Sequence, residues 1–315
     1  MSGIASFDPN SFEIDFNDIE VKNMQITAAM VKELRELTGA GMMECKKALT
    51  EVDGDTEAAV EWMRKNGMAK ADKKSGRIAA EGLINVIVAS DNKSACLVEV
   101  NSETDFVARG DDFKSFVDAV SQIVLAQKPA DVAELAELTM EDGNTVEHTR
   151  RELIAKIGEN IQVRRFKTIK SEGLIGSYSH NGRIGVLVDL QNGSPELGKD
   201  IAMHVAASKP ICVAEDDMPA DYLAKEKDIL TAQAAQSGKP ADIVEKMVVG
   251  RLKKFLSDVT LLGQPFVKDP DQSVGKLLKS ASASVNSFVR FEVGEGIEKK
   301  DENFADEVMA QVKAS

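Results

Sequence analysis

The chain is 315 residues long, which is enough for a sizeable core and for two or more domains. Its net charge is −13, from 39 basic against 52 acidic side chains, and this acidity excludes a general binder of nucleic-acid phosphates. The 3 cysteines are far apart and form no CxxC pair, which excludes a disulfide framework. No apolar run approaches the roughly 18 residues of a membrane span. We expect a cytoplasmic protein that uses no membrane, metal or cofactor.

Residues 1–23 form an acidic extension that carries carboxylates at five positions and a single lysine. Neither a helical nor a strand period persists there, which predicts a poorly ordered segment. The patterned sequence begins at Met24, and this residue is a candidate for the natural start of the chain.

Residues 24–69 are predicted to form a bundle of three short helices. Apolar side chains recur at helical spacing, and the pattern stops at Gly39, Gly54 and Gly67, which we interpret as helix ends. A bundle of this size has a thin core, so a neighbouring domain or a partner is expected to share it. The first helix has an apolar stripe that we expect to face this core: Met30, Val31, Leu34 and Leu37.

Met42 and Met43 directly follow the tight turn at Gly39-Ala40-Gly41. Adjacent helical residues cannot both face one core. One of these methionines is therefore an adaptable contact for a partner, or else a neighbouring domain covers both. The turn is not a dinucleotide-binding loop, since no strand precedes it and Glu44 occupies the place of the third glycine.

Residues 70–78 form a basic connector between the bundle and the rest of the chain. We expect a solvated linker here, and a contact with nucleic acid is the alternative. The basic residues of the connector are Lys70, Lys73, Lys74 and Arg77.

The core contains an internal repeat, since the segment Glu-Gly-Leu-Ile at 81–84 recurs at 172–175. Each copy has the pattern strand, tight turn, strand, loop and amphipathic helix. A late alternating strand follows in both copies, at 159–166 and at 287–293. We therefore predict an α+β fold with two related subdomains, each with a three-stranded antiparallel sheet, over residues 79–170 and 171–297.

The second subdomain contains an insertion at residues 219–262. Two apolar stripes at helical spacing are separated by the turn 237–240, a pattern that predicts an antiparallel helical hairpin. The hairpin either packs against its own core or projects as an arm that meets another chain, which includes self-association with a second copy.

The most unusual segment is the connector 101–110, in which Phe106 follows Asp105 in a polar setting. One interpretation makes Thr104 a helix N-cap and lets Phe106 and Val107 pack inward. In the other interpretation Phe106 is exposed in the free protein and is buried in a pocket of a partner. Burial of a phenylalanine is favourable by about 1.5–3 kcal/mol, and an exposed one does not gain this free energy.

Comparison of the two copies of the repeat favours the interpretation in which Phe106 binds a partner. The second copy has an ordinary turn at 191–195, and no apolar counterpart of Phe106 is evident there. A residue needed only by the scaffold would be expected in both copies. The connector of the first copy leads into an amphipathic helix that we predict over 113–124.

No constellation typical of an enzyme is present in the sequence. The histidines His148, His180 and His204 stand in no metal-binding motif, and neither a P-loop nor a GxSxG motif occurs. His204 precedes the apolar position Val205. We interpret His204 as a capping or surface residue, with a polar contact on a partner-binding face as the alternative.

Four segments closely resemble signatures of the bacterial elongation factor Ts family, and the similarity runs from Met24 to near the carboxyl end. Only the leading extension departs from the family pattern. The four segments are 31–49, 99–108, 204–210 and 263–267.

The resemblance implies a guanine nucleotide exchange factor for the translational GTPase elongation factor Tu, without substrate chemistry of its own. It also implies an amino-terminal bundle like the ubiquitin-associated domain, a core of two subdomains and the helical hairpin. A carboxyl-terminal helix is implied over 303–313, within a module at 298–315. No direct contact with nucleic acid belongs to this function.

The resemblance also implies roles for individual residues. In the family, a Thr-Asp-Phe-Val segment enters the GTPase and dislodges its Mg²⁺, and it matches Thr104, Asp105, Phe106 and Val107. The methionines that match Met42 and Met43 lie where the amino-terminal module meets the nucleotide-binding domain. The histidine that matches His204 lies on the face toward the distal domain of the partner.

Two other functions compete with nucleotide exchange. A peptide- or ubiquitin-binding adaptor would use the first bundle, residues 24–70, and this segment alone would then bind as well as the whole chain. A hydrolase or transferase would turn over a substrate with no GTPase present.

Overall fold

The computed structural model describes residues 26–298. Helices account for 50% and strands for 23% of the structure, which confirms the predicted α+β class. Two of the sheets are antiparallel and three-stranded, and a third is a small two-stranded sheet. The chain divides into two compact units, and the boundary between them follows Asn66. The predicted extension at 1–23 and the carboxyl-terminal helix at 303–313 lie outside the described residues.

The first unit is the predicted three-helix bundle. Its helices are α1 (Ala28–Thr38), α2 (Met42–Glu51) and α3 (Thr56–Lys74), the last of which continues into the second unit. Thr27 caps α1 through a hydrogen bond from the Met30 amide, and Gly39 ends this helix in the left-handed conformation. The helices pack around a small core of Val31, Leu34, Cys45, Ala48, Leu49 and Ala59.

Leu37 does not join this core, in contrast to the prediction. The buried residues of α1 are Val31 and Leu34, and the Leu37 side chain is 66% exposed near the end of the helix. The apolar stripe is therefore shorter than the spacing of its residues indicated.

The predicted end of α3 at Gly67 is also wrong. Gly67 is absent from the positive-φ glycines, and α3 continues to Lys74, so the first part of the predicted linker is helical. A Cβ atom at Gly67 would lie 2.8 Å from the Cβ of Ala155. The glycine therefore allows a close approach between helices and does not act as a cap.

The rest of the connector is tied by hydrogen bonds to residues 158–160, which belong to the same unit. The Lys74 ammonium group donates to the carbonyl of Gly158. The side-chain amide of Asn160 donates to the Arg77 carbonyl at 2.7 Å and more weakly to the Ser75 carbonyl at 3.4 Å. Residues 75–78 are exposed, as expected of a solvated linker, and these hydrogen bonds in addition fix the path of the chain.

In the second unit, the first copy of the repeat follows the end of α3 and the connector. The chain forms β1 (Glu81–Val88), β2 (Ser94–Ser102), α4 (Asp105–Arg109), α5 (Asp111–Gln127), α6 (Val132–Glu137), α7 (Val146–Ile157) and β3 (Gln162–Lys170). The three strands pair in the order β1-β2-β3 and are antiparallel. Helix α5 confirms the predicted amphipathic helix, since Phe113, Phe116, Val117, Val120 and Val124 are all buried in the core of this copy.

The second copy repeats this arrangement. It comprises β4 (Leu174–His180), β5 (Ile184–Gln191), α8 (Pro195–Ser208), α9 (Ala220–Ala235), α10 (Ala241–Val259), β6 (Pro265–Phe266), β7 (Asp269–Ser273), α11 (Val274–Ser280) and β8 (Ser284–Glu292). Strands β4, β5 and β8 form the second three-stranded sheet, in that order and antiparallel. The late strands β3 and β8 occupy equivalent places in the two sheets.

The two sheets pack against each other through one shared apolar layer. Its buried members are Ile84, Ala95, Leu97, Ile175, Leu187 and Val293. Gly185 on β5 lies so close to the first sheet that a Cβ atom there would be 2.5 Å from the Ile84 side chain. The Ile84 amide also donates to the Gly182 carbonyl at 2.7 Å. The second copy therefore places its β4–β5 turn beside β1.

Helices α9 and α10 form the predicted antiparallel hairpin. A small apolar cluster holds them together, and all of its members belong to the hairpin itself: Leu230, Ala234 and Val248, with Val244, Met247 and Leu252 packed against them. Tyr222 and Phe255 stack with ring centroids 6.2 Å apart. Within residues 26–298, no helix combines the length and apolarity needed to cross a lipid bilayer.

Candidate partner-binding site

The Phe106 segment folds as a short capped helix at the end of β2. Thr104 is extended, with φ −121° and ψ 157°, and its hydroxyl accepts a hydrogen bond from the Val107 amide at 3.4 Å. Asp105 lies in the first turn, where the helix dipole favours a carboxylate, and its side chain is 2.7 Å from Arg109 Nη2. The N-cap interpretation of Thr104 is therefore confirmed.

The burial of this helix differs from residue to residue. Ala108 is buried and Val107 packs against the core of the first copy, whereas the Phe106 side chain is 84% exposed. Phe106 is the most exposed large apolar side chain in residues 26–298, apart from positions 68–70 and 72, whose side chains are not described. The interpretation that both residues pack inward is therefore wrong for Phe106 and right for Val107. An exposed phenylalanine of this kind leaves about 1.5–3 kcal/mol of burial for a partner to provide.

Two carboxylates hold the start of α4. Glu159 accepts the Thr104 amide at 2.9 Å and the Thr104 hydroxyl at 2.7 Å through its two oxygens. Glu103 accepts the Asn160 amide at 2.6 Å. Glu159 was not predictable from the sequence, because nothing in the local pattern brings the segment after α7 beside the end of β2.

The second copy of the repeat contributes to the surface around Phe106. Arg183, at the end of the β4–β5 turn, forms an ion pair of 2.6 Å with Glu81 at the start of β1. An open depression of about 410 Å³ lies at this place and is lined by Glu81, Thr104, Asp105, Phe106 and Arg183. Sequence reasoning missed Glu81 and Arg183 as neighbours of Phe106, since the contact depends on the packing of the two sheets.

A buried ionic cluster supports β2 three residues before its end. The Glu99 side chain is fully buried and contacts Arg164 Nη1 at 2.9 Å and Arg165 Nε at 2.5 Å. It also accepts the Gly294 amide at 2.8 Å. Burial alone would raise the pKa of the Glu99 carboxyl, but hydrogen bonds from Gly294, Arg165 and Arg164 outweigh it, and the pKa is lowered. Glu99 is thus an anion that links β2, β3 and the turn after β8.

Met42 and Met43 lie on the surface of the first unit, at the start of α2. Their side chains are 61% and 75% exposed, and Leu37 at the end of α1 is also exposed. Flexible thioether side chains adapt well to an apolar partner surface. Leu37 was missed as a surface residue because its spacing matched the buried stripe.

His204 is fully buried on α8, so its interpretation as a capping or surface residue is wrong. Its Nδ1 accepts the Val267 amide at 3.1 Å, and its Nε2 lies 3.0 Å from Gln264 Oε1. Because a backbone amide can only donate, Nδ1 is unprotonated and Nε2 carries the proton. Burial lowers the pKa of His204, which keeps the ring neutral.

The His204 ring therefore shapes the loop that follows α10. Gln264 donates in turn to the carbonyls of Ser208 at 3.2 Å and Asp258 at 2.9 Å, and Val267 remains partly exposed. A role of His204 in partner binding stays a prediction, and it would act through the position of this loop. Among residues 26–298, no group of three or more His, Cys, Asp or Glu side chains is placed to hold a metal ion.

Comparisons with known proteins agree on one family. The family described as Elongation factor TS matches residues 103–295, which include the Phe106 segment and His204. Elongation factor Ts of Methylococcus capsulatus is 66% identical over 293 residues, covering 93% of this chain and 100% of the relative. Elongation factor Ts of Thioalkalivibrio sulfidiphilus is 61% identical over 294 residues, with the same coverage. Elongation factor Ts of Legionella pneumophila strain Lens is 56% identical over 288 residues, covering 91% of this chain and 99% of the relative.

Proposed function

Since the chain belongs to the elongation factor Ts family and is thus a translation elongation factor, we propose that it accelerates GDP release from the GTPase elongation factor Tu. The factor dislodges the Mg²⁺ of the GTPase and holds the nucleotide-free protein until GTP rebinds. It performs no substrate chemistry of its own, and no cofactor, nucleic acid or membrane takes part. The observation that carries this proposal is the exposed Phe106 on a capped helix.

The proposed mechanism uses Phe106 as a wedge. Mg²⁺ requires nearly ideal octahedral geometry, with ligands at about 2.0–2.1 Å. A side chain that shifts the supporting elements of the GTPase by about one ångström therefore weakens Mg²⁺ binding, and with it GDP binding, without touching the nucleotide. Phe106 supplies the apolar volume of this wedge, and Asp105 beside it supplies a polar contact. Thr104 and Val107 hold the helix from below through the cap and the core.

The available free energy indicates that Phe106 does not act alone. Burial of one phenylalanine gives about 1.5–3 kcal/mol, which corresponds to roughly one to two powers of ten in an equilibrium constant. A larger acceleration needs additional contacts. We propose Met42 and Met43 as contacts for the nucleotide-binding domain, and the loop supported by His204 as a contact for the distal domain. Linkage is reciprocal, so binding of GDP or GTP lowers the affinity of elongation factor Tu for the exchange factor by the same ratio by which the exchange factor lowers its affinity for the nucleotide. Rebinding of GTP therefore releases the exchange factor.

Stopped-flow release of labelled GDP from elongation factor Tu tests this proposal. Phe106→Ala should fold normally and lower the accelerated release rate by about ten- to one-hundredfold, since the lost burial is about 1.5–3 kcal/mol. Ile78→Ala is the matched control, because it also removes an exposed apolar side chain, one that is 42% exposed and takes part in none of the proposed contacts. Release by Phe106→Ala at the same rate as by the control would refute the wedge.

We also propose self-association through the hairpin formed by α9 and α10. Tyr222, Ile229, Ile243 and Val249 are exposed large apolar residues on its two helices. A second copy would bury them. Sedimentation equilibrium should show a concentration-dependent dimer that Ile229→Lys dissociates, and a monomer at every concentration would contradict self-association.

A further inference from the structure

The start of α4 and the turn after α7 are joined by a reciprocal pair of carboxylate contacts. The Glu159 carboxylate accepts both the amide and the hydroxyl of Thr104, at 2.9 and 2.7 Å. In the opposite direction, the Glu103 carboxylate accepts the Asn160 amide at 2.6 Å. Each of the two segments therefore provides an acceptor for the backbone of the other. We call this arrangement, formed by residues 103–104 and 159–160, the carboxylate brace.

The brace acts where α4 has little other support. Helix α4 has five residues, and Ala108 is its only buried residue. A single helical turn in water is not stable by itself, because nucleation fixes several dihedral angles for one hydrogen bond. Hydrogen bonds to an ionised carboxylate are roughly twice as strong as those between neutral groups. The two bonds to Thr104 therefore fix the N-cap residue of α4, two positions before Phe106.

The other side of the brace is itself anchored. Asn160 donates its side-chain amide to the Arg77 carbonyl, and the Lys74 ammonium group donates to the Gly158 carbonyl. Arg77 also lies 3.4 Å from Glu103. The turn at 158–160 is thus held by the connector that follows α3, and it gives Glu159 a fixed position from which to hold Thr104.

We propose that Glu159 is a positioning residue that holds Phe106 in the orientation needed to enter the GTPase. This inference rests on the proposed exchange function. A wedge that is already ordered loses less conformational entropy when it enters a partner, so more of its burial free energy acts on the Mg²⁺ site. Glu159 itself does no chemistry, and its effect passes through Thr104 and α4.

The test is the variant Glu159→Gln in the full chain. A glutamine keeps one acceptor oxygen for the Thr104 amide, and its NH₂ group can donate to the Thr104 hydroxyl only if that hydroxyl reverses its role from donor to acceptor. Both bonds then lose the charge of the carboxylate, and bonds between neutral groups are roughly half as strong. Glu134→Gln is the matched control. Glu134 also accepts a backbone amide, that of Ala130 at 2.6 Å, and this contact involves neither α4 nor the turn at 158–160.

We expect Glu159→Gln to lower kcat/KM for GDP release about tenfold, and Glu134→Gln to change it less than twofold. Amide hydrogen exchange should become faster at Thr104 and Val107 in Glu159→Gln, while amides of α5 keep their protection. If Glu159→Gln proves poorly folded, Glu159→Asp keeps the negative charge but is one methylene shorter, so it cannot reach both Thr104 donors and should give the same result. The proposal would be overturned if Glu159→Gln changed neither the rate of amide hydrogen exchange at Thr104 nor the rate of GDP release.

The combination with Phe106→Ala separates positioning from direct contact. If Glu159 acts through Phe106, Glu159→Gln should change GDP release less than twofold in the Phe106→Ala background. A further tenfold loss in that background would show that Glu159 contacts the partner itself, and would overturn the positioning role. If Phe106→Ala slows release and Glu159→Gln does not, only the positioning role fails. If Phe106→Ala has no effect, the proposed function fails and the positioning role with it.

Discussion

Replacement of the buried Glu99 by glutamine should destabilise the protein more than any comparable change at its surface. The carboxylate is fully buried and accepts hydrogen bonds from Arg164, Arg165 and the Gly294 amide. Removal of one partner from a buried ion pair typically costs about 3–5 kcal/mol. Both arginine side chains are partly exposed, at 25% and 31%, and can turn toward water, so the lower end of that range applies. We expect Glu99→Gln to lower the free energy of unfolding by about 3 kcal/mol.

Equilibrium unfolding in urea measures this change, with Glu292→Gln as the control. Glu292 also contacts two cations, Lys209 at 2.6 Å and Arg290 at 2.8 Å, but its side chain is 36% exposed. The pair with Lys209 is a surface ion pair, which contributes about 0–1 kcal/mol. The Arg290 side chain is only 8% exposed, but it keeps a second carboxylate, that of Glu295 at 3.7 Å, when Glu292 is replaced. Equal losses for Glu99→Gln and Glu292→Gln would refute the conclusion that burial makes the Glu99 cluster important.

The same carboxylate should make stability depend on pH. Its pKa in the folded protein lies below the ordinary value of 4.5, so the unfolded chain binds the proton more readily. The contribution of Glu99 is complete well above pH 4.5 and is lost as the pH falls from 4.5 through the lower folded value. Glu99→Gln should therefore show a shallower loss of stability in acid than the unaltered chain. Parallel pH profiles for the two proteins would contradict this expectation.

Two further predictions concern His204 and the glycines of long helices. Because burial lowers the pKa of His204, the free energy of unfolding should fall as the pH drops below 6.5, and His204→Gln should remove this slope in urea titrations. Gly67→Ala should destabilise by about 1–3 kcal/mol, since its Cβ would lie 2.8 Å from that of Ala155. Gly250→Ala on α10, with nothing within 4 Å, should instead stabilise by about 0.5–1 kcal/mol. Calorimetric melting of the two glycine variants should show shifts of opposite sign, and shifts of the same sign would refute the packing explanation.

Local patterns in the sequence were sufficient to predict the secondary structure around the site. The spacing of Phe113, Phe116 and Val120 predicted α5, because one face of a helix must be apolar to pack on a sheet. Thr104 followed by Asp105 predicted the cap of α4, because both residue types satisfy the amides and dipole of a first turn. The repeat predicted two similar sheets, since equal patterns of strands and turns fold alike.

Contacts between distant segments were not predictable from these patterns. Gly67 has the residue type of a helix end, but its role depends on the approach of Ala155 from another helix. His204 was expected at the surface, and its burial depends on Gln264 and the Val267 amide, about sixty residues away in the chain. The hydrogen bond from Thr104 to Glu159 joins residues 55 positions apart and is known only from the folded chain. Spacing along a chain reports which face of an element is apolar, and does not report what packs on it.

The measurement that tests the central claim most directly is stopped-flow release of labelled GDP from elongation factor Tu, with and without a chelator of Mg²⁺. If Phe106 acts by displacing the ion, the unaltered factor should be about ten- to one-hundredfold faster than Phe106→Ala with Mg²⁺ present. When the chelator has already removed the ion, the two release rates should differ by less than about threefold. A threefold difference corresponds to less free energy than the roughly 1.4 kcal/mol of a tenfold difference. An equally large difference without Mg²⁺ would contradict the account, because Phe106 would then weaken GDP binding by another route.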